Sequence, residues 1–297
     1  MRFSEPTGDG VRRRLEVPWK GEFPHPTVVM GIVNVTPDSF QAVGRHSSPA
    51  AAIEHGLGLF ADGADILDVG GESSRPGAAI VPVEEELARV IPVISGLTER
   101  SSVPISVDTR KSEVAKAAIG AGARIVNDIS AGRFDTRMFD VVAESGAFIS
   151  LMHGPLDTKA MQWSTSEAGS GNDIAASVAA FLMARAEAAM ASGVAGDHIW
   201  IDPGFGFGKS VEENLRLIRD LNRVVCLPWP VLVGTSRKST LGAVLNGAAP
   251  EDRLEATLAT IALAIQFGAA IIRVHDVASA VRAARTADAV IHSGPPY

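Results

Sequence analysis

The sequence predicts an α/β fold, a single (β/α)8 TIM barrel, and three observations carry that prediction. Eight short apolar runs recur along the chain, helix-like segments separate most of them, and each run closes on polar residues. Short continuous apolar runs suit strands buried on both faces, as in a parallel sheet wrapped by helices. In a closed barrel of that kind the carboxyl ends of all strands open onto one face, where chemistry is done. The polar residues that close the runs are therefore expected to converge.

The first run, Val28 to Val33, closes on Asn34, and Ser48-Pro49 then offers an N-cap and first-turn proline for a helix over Ala50 to Phe60. Ile66 to Val69 closes on Gly70 to Gly77, and a helix follows over Val83 to Glu99, with a kink expected at Pro92. Ile105 to Val107 closes on Asp108, and Ser112-Glu113 opens a helix that Gly120 to Gly122 ends. Ile125-Val126 closes on Asn127-Asp128, and Phe148 to Met152 on His153. Gly154 to Gly171 is the least regular stretch and reads as a flap over the barrel mouth, ahead of a helix over Asp173 to Met190. Ile199 to Ile201 closes on Asp202, with a helix over Val211 to Leu221. Val231 to Val233 closes on Gly234 to Lys238, with a helix over Arg253 to Phe267, and Ile271 to Val274 closes on His275. Strands alternating with helices in this order make βαβ units.

At 297 residues the chain suits one large barrel, which commonly needs about 250 residues. The expected division is an N-terminal extension over 1–27, the barrel over 28–292 and a tail over 293–297. A net charge of −7, with no basic run beyond Arg12-Arg13-Arg14, argues against nucleic acid or an anionic membrane as the main partner. No uninterrupted apolar stretch reaches the roughly 18 residues that suggest a membrane span. Cys226 is the one cysteine, so no intrachain disulfide is possible and a reducing cytoplasm is expected.

The strand-end motifs carry a resemblance. Met30 to Phe40 (MGIVNVTPDSF) and Asp68 to Gly77 (DVGGESSRPG) resemble the two opening signatures of the dihydropteroate synthases. Ser106 to Thr109, Asn127 to Ile129, Asp202 to Lys209, Ser236 to Ser239 and Arg273 to Val277 match later signatures in order, so every strand end but the fifth takes part. The family implies a pterin-binding barrel, commonly homodimeric. It is a transferase of folate biosynthesis that joins 6-hydroxymethyl-7,8-dihydropterin pyrophosphate to p-aminobenzoate, releasing pyrophosphate and 7,8-dihydropteroate. Sulfonamides mimic p-aminobenzoate in this family.

The resemblance implies roles for single residues. Asp108, Asn127 and Asp202 hold the ring, Lys238 bonds its carbonyl or ring nitrogen, and Met152 packs near its face. A buried polar edge left bare costs about 1–3 kcal/mol, so carboxylates and an amide suit the donor edge of a pterin. On their own, Asp202-Pro203 reads as a turn and Asn127-Asp128 as a helix cap. Arg273 and His275 are assigned to the pyrophosphate oxygens, with Val274 between them also implied as substrate-binding, Lys238, Arg273 and His275 as the catalytic set, and Asn34 to Mg²⁺. One neutral oxygen leaves such a metal dependent on waters and substrate phosphates. Ser74, Arg75, Pro76, Phe207, Lys238 and Ser239 are implied as the p-aminobenzoate subsite. His25, His46, His55, His198 and His292 have no comparable position. Gly204 to Lys209 lacks the spacing and context of a phosphate loop.

Three departures stand out. The chain reads Gln41-Ala42-Val43-Gly44 where the family usually has Ser-Asp-Gly-Gly, Ser74 where it has threonine, and Gly154-Pro155-Leu156 where it has Met-Gln-Gly. Besides a synthase, the sequence therefore admits a pterin-binding paralogue without the reaction, or a methyltetrahydrofolate-dependent corrinoid methyltransferase. Arg273-Val274-His275 and Ser236-Arg237-Lys238 favour the synthase over the methyltransferase, which has no pyrophosphate to hold. If Asp38 or water substitutes for the missing acid, Ala42→Asp should leave pterin affinity nearly unchanged and raise kcat in steady-state kinetics, because its charge acts in the transition state. A slower variant would show a loop rebuilt around Gln41-Ala42-Val43.

Overall fold

The structure, a computed structural model, describes residues 27–36, 48–73, 78–156 and 173–292. The extension up to residue 26, Asp38 and the Gln41-Ala42-Val43 loop, the Ser74-Arg75-Pro76 segment, most of the expected flap and the tail over 293–297 lie outside the described residues.

Eight parallel strands form a ring. They are β1 (Val28–Asn34), β2 (Ile66–Gly70), β3 (Ile105–Asp108), β4 (Ile125–Asp128), β5 (Phe148–Met152), β6 (Ile199–Asp202), β7 (Leu232–Val233) and β8 (Ile271–Val274). Neighbours pair in sequence order from β1 to β6, and β1 also pairs with β8, as Met30 with Ile66 and Val28 with Ile271. β7 pairs with β8 and meets β6 through a parallel bridge between Ile201 and Val231, where the Ile201 N–H donates to Pro230 O at 3.0 Å. Pro230 has no N–H to continue the ladder, which accounts for a two-residue β7.

Alternation along the strands separates two cores. Val28, Met30, Ile66, Ile125, Phe148, Trp200, Leu232 and Ile271 fill the barrel, while Leu67, Val69, Val107, Val126, Ile149, Ile201 and Ile272 face the helices. Every second residue above the inner plug is consequently inward and nearer the mouth, which brings Asp68, Asp108, Asn127, Met152, Asp202 and Arg273 toward one another. His198 sits at the opposite end, stacked on Phe148 with ring centroids 4.3 Å apart.

The covering helices follow largely as the sequence predicts: α1 (Pro49–Ala61), α2 (Val83–Arg100), α3 (Ser112–Gly120), α4 (Met138–Ser145), α5 (Ile174–Ala191), α6 (Val211–Arg219), α7 (Asn222–Val225), α8 (Ser239–Val244), α9 (Leu254–Gln266) and α10 (Val277–His292). Ser48 caps α1 by accepting from Ala51 N–H at 3.2 Å, with Pro49 in the first turn. Helix α2 runs through Pro92 without a break in its assignment. A capping box between Ser210 and Glu213 starts α6, which stops at Arg219, short of the expected Leu221. Helix α5 is long and apolar enough to cross a membrane, but it packs on β5 and β6. Helices α4, α7, α8 and α10 are additions to the sequence reading. Asp288 of α10 accepts from Thr27 N–H at 3.2 Å and from Thr27 Oγ1 at 2.8 Å, which ties the last helix to the start of β1.

The loop after β6 approaches its neighbour closely. Gly204 has φ +69°, and a Cβ there would lie 1.8 Å from the His153 carbonyl oxygen. Gly146, with φ +68°, has nothing within 4 Å of a built Cβ. Alanine costs about 1–2 kcal/mol at either site for the left-handed backbone, and only Gly204→Ala adds a backbone collision. Urea unfolding should show Gly204→Ala losing at least ~2 kcal/mol more than Gly146→Ala; equal losses would contradict the close approach.

Candidate active site

The barrel mouth gathers three carboxylates and two cations. Arg273, inward on β8, donates through Nε to Asp68 Oδ2 at 2.6 Å and through Nη2 to Asp108 Oδ2 at 2.7 Å. Its Nη1 donates to no described residue. Burial works against the guanidinium charge, but Asp68 and Asp108 more than offset this and hold it firmly protonated. Asn127 Nδ2 donates to Asp68 Oδ2 at 3.1 Å. A carboxylate only accepts, so the Asn127 amide must turn its nitrogen toward Asp68, which leaves Oδ1 free to accept from a ligand.

Burial raises the Asp108 carboxyl to about 7, with Arg273 opposing the shift and Asp68 and Glu86 adding to it. Burial likewise lifts Asp202 to about 6, although its Oδ1 accepts from Gly204 N–H at 2.7 Å. The turn reading of Asp202-Pro203 thus holds together with an inward carboxylate. Asp128 bonds locally to Ser130 N–H, Ser130 Oγ and Gly132 N–H, as its cap-like reading suggests, and stays outside the group at the mouth. Lys238 lies with Nζ 3.6 Å from the Phe207 ring centroid. Burial and Arg273 lower its ammonium to about 7 against the pull of Asp202 and Asp108. A set of groups titrating near neutrality within one cleft marks a functional site.

His275 follows β8, and a serine hydroxyl holds its ring. Ser236 Oγ accepts from the His275 backbone N–H at 3.1 Å and lies 2.9 Å from Nδ1. With Nδ1 engaged by the Ser236 hydroxyl, Nε2 is the ring nitrogen left to meet a ligand. Burial, helped by Arg273 and Arg237, lowers the imidazole to about 3, so it is a neutral donor at working pH. Ser239, the first residue of α8, has a buried hydroxyl without a hydrogen-bond partner among the described residues. Met152 is inward and buried beside Gly154. Val274 differs from its companions. Its side chain belongs to the outer, helix-facing core, so only its backbone could serve a ligand.

Asn34 ends β1 half-buried and offers one neutral oxygen. Among the described residues no group of three or more acidic, histidine or cysteine side chains is placed to hold a metal ion. That donor set suits a divalent cation carried mainly by substrate phosphates and water.

Several supporting residues were not singled out from sequence. Asp68 lies within a quoted motif, yet its role appears only when Arg273 and Asn127 meet it. Glu72, on the second strand-end loop, accepts from Arg110 Nε at 3.0 Å, Lys111 Nζ at 2.6 Å and Val81 N–H at 3.0 Å. Lys111 also bonds the buried Glu86. This cluster ties both ends of that loop to the residues following β3. Lys209 and Ser236 likewise act through partners remote in sequence.

A family profile described as "Pterin binding enzyme" matches residues 30–275. A dihydropteroate synthase from Streptococcus pyogenes is 46% identical over 250 residues, covering 84% of this chain and 90% of that protein. The structure resembles Xanthomonas albilineans dihydropteroate synthase with 4-aminobenzoic acid, with TM-score 0.83 and 46% identity over 90% of this chain and 94% of that one. It also resembles the same organism's enzyme in complex with 7,8-dihydropteroate, with TM-score 0.80 and 44% identity over 90% of this chain and 95% of that one. With the ordered motifs and the converging mouth, these likenesses establish that the chain belongs to the dihydropteroate synthase family of pterin binding enzymes.

Proposed function

We propose that this chain joins 6-hydroxymethyl-7,8-dihydropterin pyrophosphate to p-aminobenzoate, releasing pyrophosphate and forming 7,8-dihydropteroate. The observation that carries the reading is the convergence of Asp108, Asn127 and Asp202 with Lys238 and Arg273 in one barrel mouth of this family. The two carboxylates and the Asn127 oxygen accept from the donor edge of the ring, while the Lys238 ammonium donates to its carbonyl or ring nitrogen. Arg273 Nη1 and the Nε2–H of His275 face the developing charge of the leaving pyrophosphate. Asn34 takes one position on Mg²⁺, which neutralises phosphate charge when bound.

The aniline nitrogen is already nucleophilic, so no covalent enzyme intermediate is required. The carbon–oxygen bond breaks first, its electron pair leaves with pyrophosphate, and the pterin delocalises positive charge at its exocyclic methylene. The amine of p-aminobenzoate then forms the new carbon–nitrogen bond and loses a proton. Phe207, Lys238 and Ser239, with Ser74, Arg75 and Pro76, make up the subsite for this second substrate. Catalysis is chiefly positioning and charge stabilisation. A cytoplasmic location and a homodimer complete the reading.

Asp108→Ala, Asn127→Ala and Asp202→Ala should each weaken pterin binding by about 1–3 kcal/mol by calorimetry, because each strands part of a buried polar edge. Wild-type affinity in all three would remove the ring assignment. His275→Ala should weaken the pyrophosphorylated pterin at least ~10-fold and the bare hydroxymethyl pterin by less than ~2-fold, since a lost charge-assisted bond is worth about 1.5–3 kcal/mol. Equal losses would make His275 structural. The reaction itself is tested by pyrophosphate release from both substrates with Mg²⁺, and no release would leave a binding protein.

A further inference from the structure

Lys209 ends the glycine-rich stretch that follows β6, and its side chain turns back into the loop it closes. It is 2% exposed. Its ammonium donates to Gly204 O at 2.8 Å, His153 O at 3.2 Å and Phe207 O at 3.2 Å, which uses all three N–H groups on backbone carbonyls. Among the described residues no carboxylate hydrogen-bonds it, and burial lowers it to about 7 against the pull of Asp202 and Glu213. A buried ammonium without an ion-pair partner is a costly way to hold a loop, so its placement calls for a function.

The three carbonyls belong to the end of β5 and to the two ends of the Gly204-to-Phe207 turn. Asn214 completes the enclosure: its Oδ1 accepts from Gly206 N–H at 2.7 Å, and its Nδ2 donates to Lys209 O at 3.2 Å and Thr240 Oγ1 at 3.1 Å. A Cβ on Gly206 would lie 2.9 Å from Lys238 Cδ, so the turn rests on the Lys238 stem while the Phe207 ring covers its ammonium. We propose that Lys209 is a positioning residue that acts as an internal cation, gathering the His153, Gly204 and Phe207 carbonyls so that Phe207 is fixed over Lys238 where p-aminobenzoate binds. This rests on the synthase reading above. It assigns the lysine of the Gly204-to-Lys209 stretch to loop geometry rather than to phosphate.

The test is steady-state kinetics and pterin binding on the intact protein for wild type, Lys209→Met, Phe207→Ala and the double variant, with circular dichroism to check folding. Lys209→Met should raise KM for p-aminobenzoate at least ~10-fold while the Kd for the pterin pyrophosphate stays within ~3-fold, as expected for loss of orientation at one subsite. In the Phe207→Ala background the same substitution should change KM by less than ~2-fold, because a residue acting through Phe207 has nothing left to position. If Lys209→Met does not fold, Lys209→Gln, which keeps two donors, carries the same comparison. The proposal is overturned by an unchanged KM, by equal rises in KM and Kd, or by full additivity with Phe207→Ala. A wild type that releases no pyrophosphate would instead overturn the synthase reading.

Discussion

The contact on which the mouth depends is the Arg273 guanidinium held between Asp68 and Asp108. Two carboxylates inside a barrel repel one another and lose hydration, and neither cost is recovered without a cation of fixed geometry. Arginine supplies one that stays charged, with several donors in a rigid fork. Asp68 is fully buried, and its Oδ2 turns Asn127 so that the amide oxygen faces away from it. Burial raises the Asp108 carboxyl to about 7. In the proposed reaction, ring recognition and anion recognition would be joined at one side chain. The sequence resemblance assigns Arg273 to the pyrophosphate and the catalytic set, and its observed partners are Asp68 and Asp108.

Around that contact the barrel supplies rigidity in layers. The inner plug from Val28 to Ile271 fills the ring below the polar group, and the outer core locks each strand to its helices. Two strand-end loops are pinned by buried charge: Glu72 with Arg110 and Lys111 at one, Lys209 with three carbonyls at another. Ser236 performs the same service for His275 through a single hydroxyl.

The strands were legible because burial on both faces leaves uninterrupted apolar runs, and Asp108, Asn127, Asp202 and Lys238 were legible because they stand where those runs stop. Helix α10 escaped because Arg282, Arg285 and Asp288 interrupt its apolar pattern, yet Arg285 and Asp288 prove to hold Thr27. Asp68 and Arg273 lie 205 positions apart, so no local pattern could join them. Val274 sits inside a motif, but strand alternation sends its side chain to the outer core. Motif membership does not distinguish inward from outward residues; the two-residue period does.

The central claim is that Arg273 serves the pterin ring by keeping Asp68 and Asp108 in place, in addition to serving the pyrophosphate. It is tested most directly by the affinity of Arg273→Met for bare hydroxymethyl pterin, a ligand with no phosphate. Without the guanidinium the two carboxylates face each other uncompensated, one takes up a proton, and an acceptor for the ring is lost. The account predicts binding at least ~10-fold weaker than wild type, in line with about 1–3 kcal/mol for a stranded polar group. Wild-type affinity for the bare pterin would contradict it and confine Arg273 to the anion.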